Sequence, residues 1–176
     1  MKELLITSGF PRSGSTYLNQ AINLLYYPEQ EVNWNRHTVV AIENATTIMV
    51  PFRNPVDAIA SWHKYPSNGQ LDADIKYYIR FYKAVLDNLN KVVLMDFDYF
   101  TKDIDYIKDK VFKNFSISTN RYVTDAEVKQ EMLKNGKEIN LPQNNQDELD
   151  AVKKRLTQEP LFEECVSLYN QVKQLN

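Results

Sequence analysis

Apolar positions along the chain follow two different periods, and each period predicts a different element. Residues 4–7 form a short apolar run just before a glycine, the signature of a buried strand. Across residues 15–27, Leu18, Ala21, Ile22, Leu24 and Leu25 recur at helical spacing. Strand, glycine-containing loop and helix together open a βα unit. Residues 28–36 are polar and irregular, with no element predicted. Residues 38–42 and 46–52 are two β-branched runs separated by Glu43-Asn44-Ala45, and both read as extended. Pro55 suits the first turn of a helix that continues to about His63. Pro66-Ser67-Asn68-Gly69 is a turn signal. Residues 71–89 then carry one long apolar stripe of Leu71, Ile75, Tyr78, Ile79, Tyr82, Val85, Leu86 and Leu89, which predicts an amphipathic helix. Residues 92–95 read as another buried strand. Residues 103–115, 125–133, 148–156 and 161–175 read as helices, with a loop at 141–145.

Strands alternating with helices imply an α/β fold, a three-layer parallel sheet with a helical C-terminal part. The pattern is that of a single domain over 1–176, with an α/β core over 1–115 and helices alone over 116–176. No repeat or low-complexity tract interrupts it.

Charge narrows the function classes. There are 21 basic and 23 acidic residues, a formal net charge of −2, so nothing global favours nucleic acid or an anionic membrane surface. Any anion site must be local. One cysteine excludes an internal disulfide, and two histidines argue against a histidine-rich metal site. No metal is expected. No apolar stretch approaches the length needed to span a bilayer, and the N-terminal run is too short for a secretory signal core, so a cytoplasmic protein is expected.

Local anion chemistry is concentrated in Gly9-Phe10-Pro11-Arg12-Ser13-Gly14-Ser15-Thr16, which has the G-x-x-x-x-G spacing of a phosphate-binding loop. Glycines let the backbone curl with its N–H groups inward, and the helix that follows offers its positive end. Ser13, Ser15 and Thr16 add hydroxyls, and Arg12 adds a forked cation. The same spacing also occurs in plain strand-to-helix turns capped by a serine such as Ser13 or Ser15. The lysine that nucleotide triphosphatases place after the second glycine is replaced by Ser15, which removes their main catalytic cation.

A second cluster is Val50-Pro51-Phe52-Arg53-Asn54-Pro55-Val56-Asp57-Ala58-Ile59-Ala60-Ser61-Trp62. Arg53 closes a strand and Ser61 lies on the next helix, a guanidinium and a hydroxyl suited to a terminal phosphate. Asp57, in the first helical turn, is expected to cap or brace the turn. A surface ion pair for Arg53 and a packing role for Ser61 are the plainer readings of the same residues.

Pro11-Arg12-Ser13-Gly14-Ser15-Thr16 resembles the P-[KR]-S-G-[ST]-T loop of the sulfotransferase superfamily, and the Arg53-to-Ser61 segment resembles that family's R-[ND]-P-x-D-x-x-x-S motif. The resemblance covers roughly residues 2–115. It implies a P-loop-type fold that binds 3′-phosphoadenosine 5′-phosphosulfate (PAPS) and releases adenosine 3′,5′-bisphosphate. By the resemblance, Arg12 contacts the bridging and terminal oxygens, Ser13, Gly14, Ser15 and Thr16 hold the 5′-phosphate, and Tyr17 lies beside the adenine. Arg53 and Ser61 take the 3′-phosphate. A hydroxyl or amine on a small-molecule, carbohydrate or peptide acceptor is the expected second substrate. The family's late R-K-G loop has no clear counterpart: Lys134-Asn135-Gly136-Lys137 is a faint one, and Arg121 a lone alternative.

Sulfuryl transfer also needs a base. His37 is the first candidate because the ordinary pKa of a histidine suits proton removal near neutral pH. It resembles the histidine of a K-x-H segment upstream of the 3′-phosphate arginine, although Asn35 stands at the lysine position. Glu31 or Glu29 is the rival, by resemblance to branches that use a glutamate about 20 residues beyond the loop. His63 reads as a helix-end residue. Val92-Val93-Leu94-Met95-Asp96-Phe97-Asp98-Tyr99-Phe100 resembles a later strand of these enzymes, with Asp96 and Asp98 read as a solvated, helix-capping strand end. Two other classes share the pattern: an ATP-dependent small-molecule or nucleotide kinase, and a non-catalytic nucleotide-binding protein.

Overall fold

The computed structural model describes residues 4–34, 37–64, 70–135 and 146–176. Four strands, β1 (Leu4–Thr7), β2 (Glu31–Trp34), β3 (Ile48–Phe52) and β4 (Val92–Asp96), form one all-parallel sheet in the order β2-β1-β3-β4. Helices α1 (Ser15–Tyr26), α2 (Val39–Asn44), α3 (Pro55–His63) and α4 (Leu71–Asp87) alternate with these strands. A one-turn helix, α5 (Phe97–Phe100), follows β4, and then α6 (Ile104–Phe115), α7 (Asp125–Lys134), α8 (Gln146–Leu156) and α9 (Phe162–Gln174) complete the chain.

Alternation within β3 and β4 sends successive apolar side chains to opposite faces of the sheet. Ile48, Val50, Phe52 and Leu94 enter one apolar cluster with residues of α2, α3, α4 and α9. Met49, Val93 and Met95 enter a second cluster with residues of α1, α6 and α7. A strand with both faces covered reads as continuous apolar sequence, as residues 48–52 and 92–95 do.

Two expectations fail locally. Residues 38–42 are not a strand. Thr38 caps α2 by accepting a hydrogen bond from Ala41 N–H at 3.1 Å, and Val39 and Ile42 are buried while Val40 is 57% exposed. Burial at i and i+3 is helical, and it overrides the β-branched composition. Conversely, the polar stretch before it contains β2, whose backbone pairs with β1 from Leu4↔Glu31 to Thr7↔Trp34. An edge strand needs little apolar sequence, because the ladder supplies its hydrogen bonds. The long stripe is a helix as expected but ends at Asp87, with a 3₁₀ turn over Leu89–Lys91 before β4. The turn expected at 66–69 and the loop at 141–145 lie outside the described residues.

Parallel pairing puts the carboxyl ends of β1, β3 and β4 along one edge of the sheet. From that edge emerge residues 8–14, Arg53 and Phe97. Open α/β sheets bind ligands at this edge. No described helix is long and apolar enough to cross a membrane.

Candidate active site

The loop between β1 and α1 is built around two residues in the left-handed region, Arg12 at φ 66° and Gly14 at φ 88°. Gly14 is the N-cap of α1, and among the described residues no side chain caps this helix. The first-turn N–H groups of α1, those of Ser15, Thr16 and Tyr17, therefore have no capping side chain, which suits an oxyanion. Ser13 does not cap α1, although the plainer reading of the loop gives it that role. Its hydroxyl donates to the Phe10 carbonyl at 2.6 Å and closes the loop on itself. Phe10 is fully buried and packs on Tyr78 with ring centroids 4.9 Å apart, so the loop is anchored in the core beneath it.

Glycine is required twice here. At Gly9 a Cβ would meet Pro51 Cγ at 2.7 Å and Ser13 Oγ at 2.9 Å. At Gly14 it would meet Phe97 Cδ2 and Phe100 Cζ at 2.8 Å. Both positions let the backbone lie directly against neighbouring side chains.

The two sequence clusters, some 40 residues apart, join in space. Arg12 Nε donates to Ser61 Oγ at 2.9 Å, and Arg53 Nη1 donates to the Arg12 carbonyl at 3.1 Å. Arg53 also lies over the Phe97 ring, 4.4 Å from its centroid. Burial lowers the Arg53 pKa from its ordinary value, while the charges of Asp57 and Asp98 oppose that shift. A partly desolvated guanidinium gains from a further anion. Asn54 caps α3 by accepting from Val56 N–H at 2.9 Å, whereas Asp57 pairs with Lys153 of α8 at 2.7 Å. Of the two roles expected of Asp57, capping or bracing the turn, the cap falls to Asn54.

His37 reaches the loop from the carboxyl side of β2. Its Nδ1–H donates to the Gly9 carbonyl at 2.6 Å, which leaves the lone pair of the neutral ring on Nε2. His37 has φ 42°, and its own carbonyl accepts from the Tyr77 hydroxyl of α4. The described non-glycine residues with positive φ are Arg12, His37 and Ser116, and Ser116 is explained as the C-cap of α6. The other two are site residues, where such conformations concentrate.

Glu31 lies elsewhere. Its register partner is Leu4 at the amino end of β1, about 10 Å of strand from the loop. Glu29 pairs with Arg121 at 2.8 Å, and Arg121 also donates to the carbonyls of Leu24 and Tyr27 at the far end of α1. Of the residues considered for the base, the structure brings His37 to the loop and leaves both glutamates away from it. Arg121 is likewise not beside Arg53. Lys134 pairs with Glu131 at 3.2 Å, and Gly136 and Lys137 lie outside the described residues.

Tyr17 is built into the core. It is 7% exposed, packs on Phe100, and donates its hydroxyl to Asp125 at 3.0 Å. Burial, followed by the Asp125 hydrogen bond and charge, raises its pKa well above the ordinary value. It reads as a tie between α1 and α7. Asp96 is also buried, at 3% exposure, and caps α5 by accepting from Asp98 N–H at 2.9 Å; the capping role holds, but not the solvation. Among the described residues no cluster of three His, Cys, Asp or Glu could hold a metal ion.

A supporting face on α4 was missed from sequence. Tyr77 holds the His37 carbonyl, Tyr78 donates to the Arg53 carbonyl at 3.3 Å, and Asp74 accepts from His63 and Trp62 of α3. One signal was present: Asp74 falls on the buried stripe, at i+3 from Leu71, where a carboxylate needs partners.

Comparison with protein-family models, with curated proteins and with solved structures yields no match for this chain.

Proposed function

We propose that this chain is a PAPS-dependent sulfotransferase of the P-loop nucleotide-binding type, with a three-layer sheet and the site at the carboxyl edge. The single observation that carries the reading is the linkage of Arg12, Arg53 and Ser61 by hydrogen bonds at 2.9 and 3.1 Å, beside a helix start with no side-chain cap. Two independent sequence motifs, each matched at its fixed positions, thereby converge on one place.

The residues fit an anion of this kind. First-turn N–H groups, the hydroxyls of Ser15 and Thr16, and the guanidiniums of Arg12 and Arg53 are the donors this edge offers to such an anion. Thr7 Oγ1 and Ser8 Oγ, at the root of the loop, are buried with no hydrogen-bond partner among the described residues. Ser13, Gly14, Ser15 and Thr16 would hold the 5′-phosphate, and Arg53 with Ser61 the 3′-phosphate. Because Arg12 and Arg53 are neighbours here, the two phosphate ends share one cationic hub rather than two remote anchors. Bound PAPS supplies an activated sulfuryl group, whose bond to the 5′-phosphate breaks as a bond to the acceptor oxygen or nitrogen forms. His37 Nε2 takes the acceptor proton, and the Gly9 carbonyl holds the tautomer that makes this possible. Arg12 and the loop N–H groups stabilise negative charge on the departing phosphate.

Isothermal titration with adenosine 3′,5′-bisphosphate and, separately, with ATP plus magnesium tests the reading. Preferential binding of the bisphosphate, followed by turnover of labelled PAPS with an acceptor panel, supports it. Selective binding of ATP-magnesium overturns it in favour of a kinase.

A further inference from the structure

Resting on the reading of His37 as the base, we propose that Asp74 is a positioning residue for His37, acting through the Trp62 indole. Asp74 sits in the first turn of α4 and is 6% exposed. Its carboxylate accepts from His63 Nδ1–H at 2.8 Å and from the Trp62 side chain, whose only donor is the indole N–H. The Trp62 ring in turn lies 6.5 Å from the His37 ring, tilted by 48°, within the range of a direct aromatic contact.

Helix geometry separates the roles of three consecutive residues. Successive side chains on α3 diverge by about 100°. Ser61 points to Arg12, and His63 turns away from it toward α4. Trp62 lies between these directions and faces His37. His63 is therefore not a second base at the loop; it is the other clamp on the carboxylate. Asp74 and Tyr77, three residues apart, share a face of α4. From that one face Tyr77 fixes the His37 main chain and Asp74, by way of Trp62, fixes the side against which its ring rests. A buried carboxylate is costly unless paired, and burial raises the Asp74 pKa despite the His63 and Trp62 hydrogen bonds. Such a group on an otherwise apolar stripe is accounted for by what it holds.

The chain contains two histidines, so labelled-histidine NMR gives two ring systems to follow. Asp74→Asn keeps an acceptor for the indole, and Asp74→Ala removes it. Asp74→Ala is expected to move the His37 ring-proton signals and to lower kcat about 10- to 100-fold. KM for PAPS should stay within about twofold. Asp74→Asn should restore both the signals and the rate. Trp62→Phe, which keeps the His63–Asp74 pair, should reproduce the loss, and the double variant Asp74→Ala/Trp62→Phe should lose no more than either single one. If Asp74→Ala does not fold, Trp62→Phe carries the test alone. Unmoved His37 signals in the Ala or Phe variant, or an Asn variant as impaired as Ala, overturn the proposal. Signals that move as stated in a protein that never turns over PAPS uphold the positioning role and remove the sulfotransferase reading instead.

Discussion

Gly14→Ala isolates the physical cause of the loop's shape. Gly14 is left-handed at φ 88°, and a Cβ there would stand 2.8 Å from Phe97 Cδ2 and from Phe100 Cζ. Placing an L-residue in the left-handed region costs about 1 to 2 kcal/mol. Pushing a methyl against the Phe97 and Phe100 rings costs about 1 to 3 kcal/mol more, because Phe100 is fully buried and cannot swing aside. The stiffer unfolded chain returns about 0.4 to 1 kcal/mol. The expected net loss is about 1 to 5 kcal/mol, measured by urea denaturation at constant m-value. For a chain of this size that corresponds to a fall in Tm of about 2 to 20 °C. Phe97→Leu should relieve part of the clash, so Gly14→Ala in that background should cost nearer the backbone term alone, about 1 to 2 kcal/mol. A loss below about 0.5 kcal/mol in the wild-type background would refute the argument, since neither strain nor collision would then be present.

Arg53→Ala should weaken adenosine 3′,5′-bisphosphate about 10- to 100-fold by titration calorimetry, from the loss of a charge-assisted contact. The counterpart lacking the 3′-phosphate should lose far less, and equal losses would remove the 3′-phosphate assignment. Tyr26→Phe should stabilise by about 1 kcal/mol in the same denaturation assay, because the buried Tyr26 hydroxyl has no partner among the described residues. A comparable destabilisation would mean that the hydroxyl is satisfied. Burial raises the Asp96 pKa above its ordinary 3.8, so the ionised form weighs against folding at neutral pH and this cost fades as pH falls through the raised value. Asp96→Asn keeps a capping oxygen and should therefore be more stable than wild type at pH 7, with the gap closing on acidification; a gap that widens would contradict the sign.

Much of the site was legible from local chemistry. Gly9, Arg12, Gly14, Arg53 and Ser61 stood out as candidates because an oxyanion site would need particular residue types at particular spacings, and the fold brings Arg12, Arg53 and Ser61 together. His37 was a candidate by its residue type and a partial K-x-H resemblance, and the fold places it against the Gly9 carbonyl. Less legible were the roles that depend on direction. Ser13 and Asp57 were candidate caps, yet Ser13 closes the loop on Phe10 and Asp57 pairs with Lys153, because helix starts admit several hydroxyl or carboxylate placements. Tyr17 follows the loop as an adenine-side aromatic would, but its position on α1 turns it inward to Asp125.

The sequence by itself determined the succession of elements wherever period and flanking glycine or proline agreed: β1 with its loop and α1, Pro55 at the start of α3, the stripe of α4, and the helical tail. Those are local properties, fixed by backbone conformational preference and the spacing of apolar side chains. Only the tertiary structure decided that a polar stretch becomes β2 and that a β-branched run becomes α2, because ladder hydrogen bonds and burial against α4 outweigh propensities worth tenths of a kcal/mol. It alone set His37 beside Gly9 and Glu31 at the other end of the sheet, since parallel register fixes which end of each strand a residue occupies. It also turned Asp74, Tyr77 and Tyr78 from a stripe of core positions into the face that holds the site, as directions in space exist only once the helices are packed.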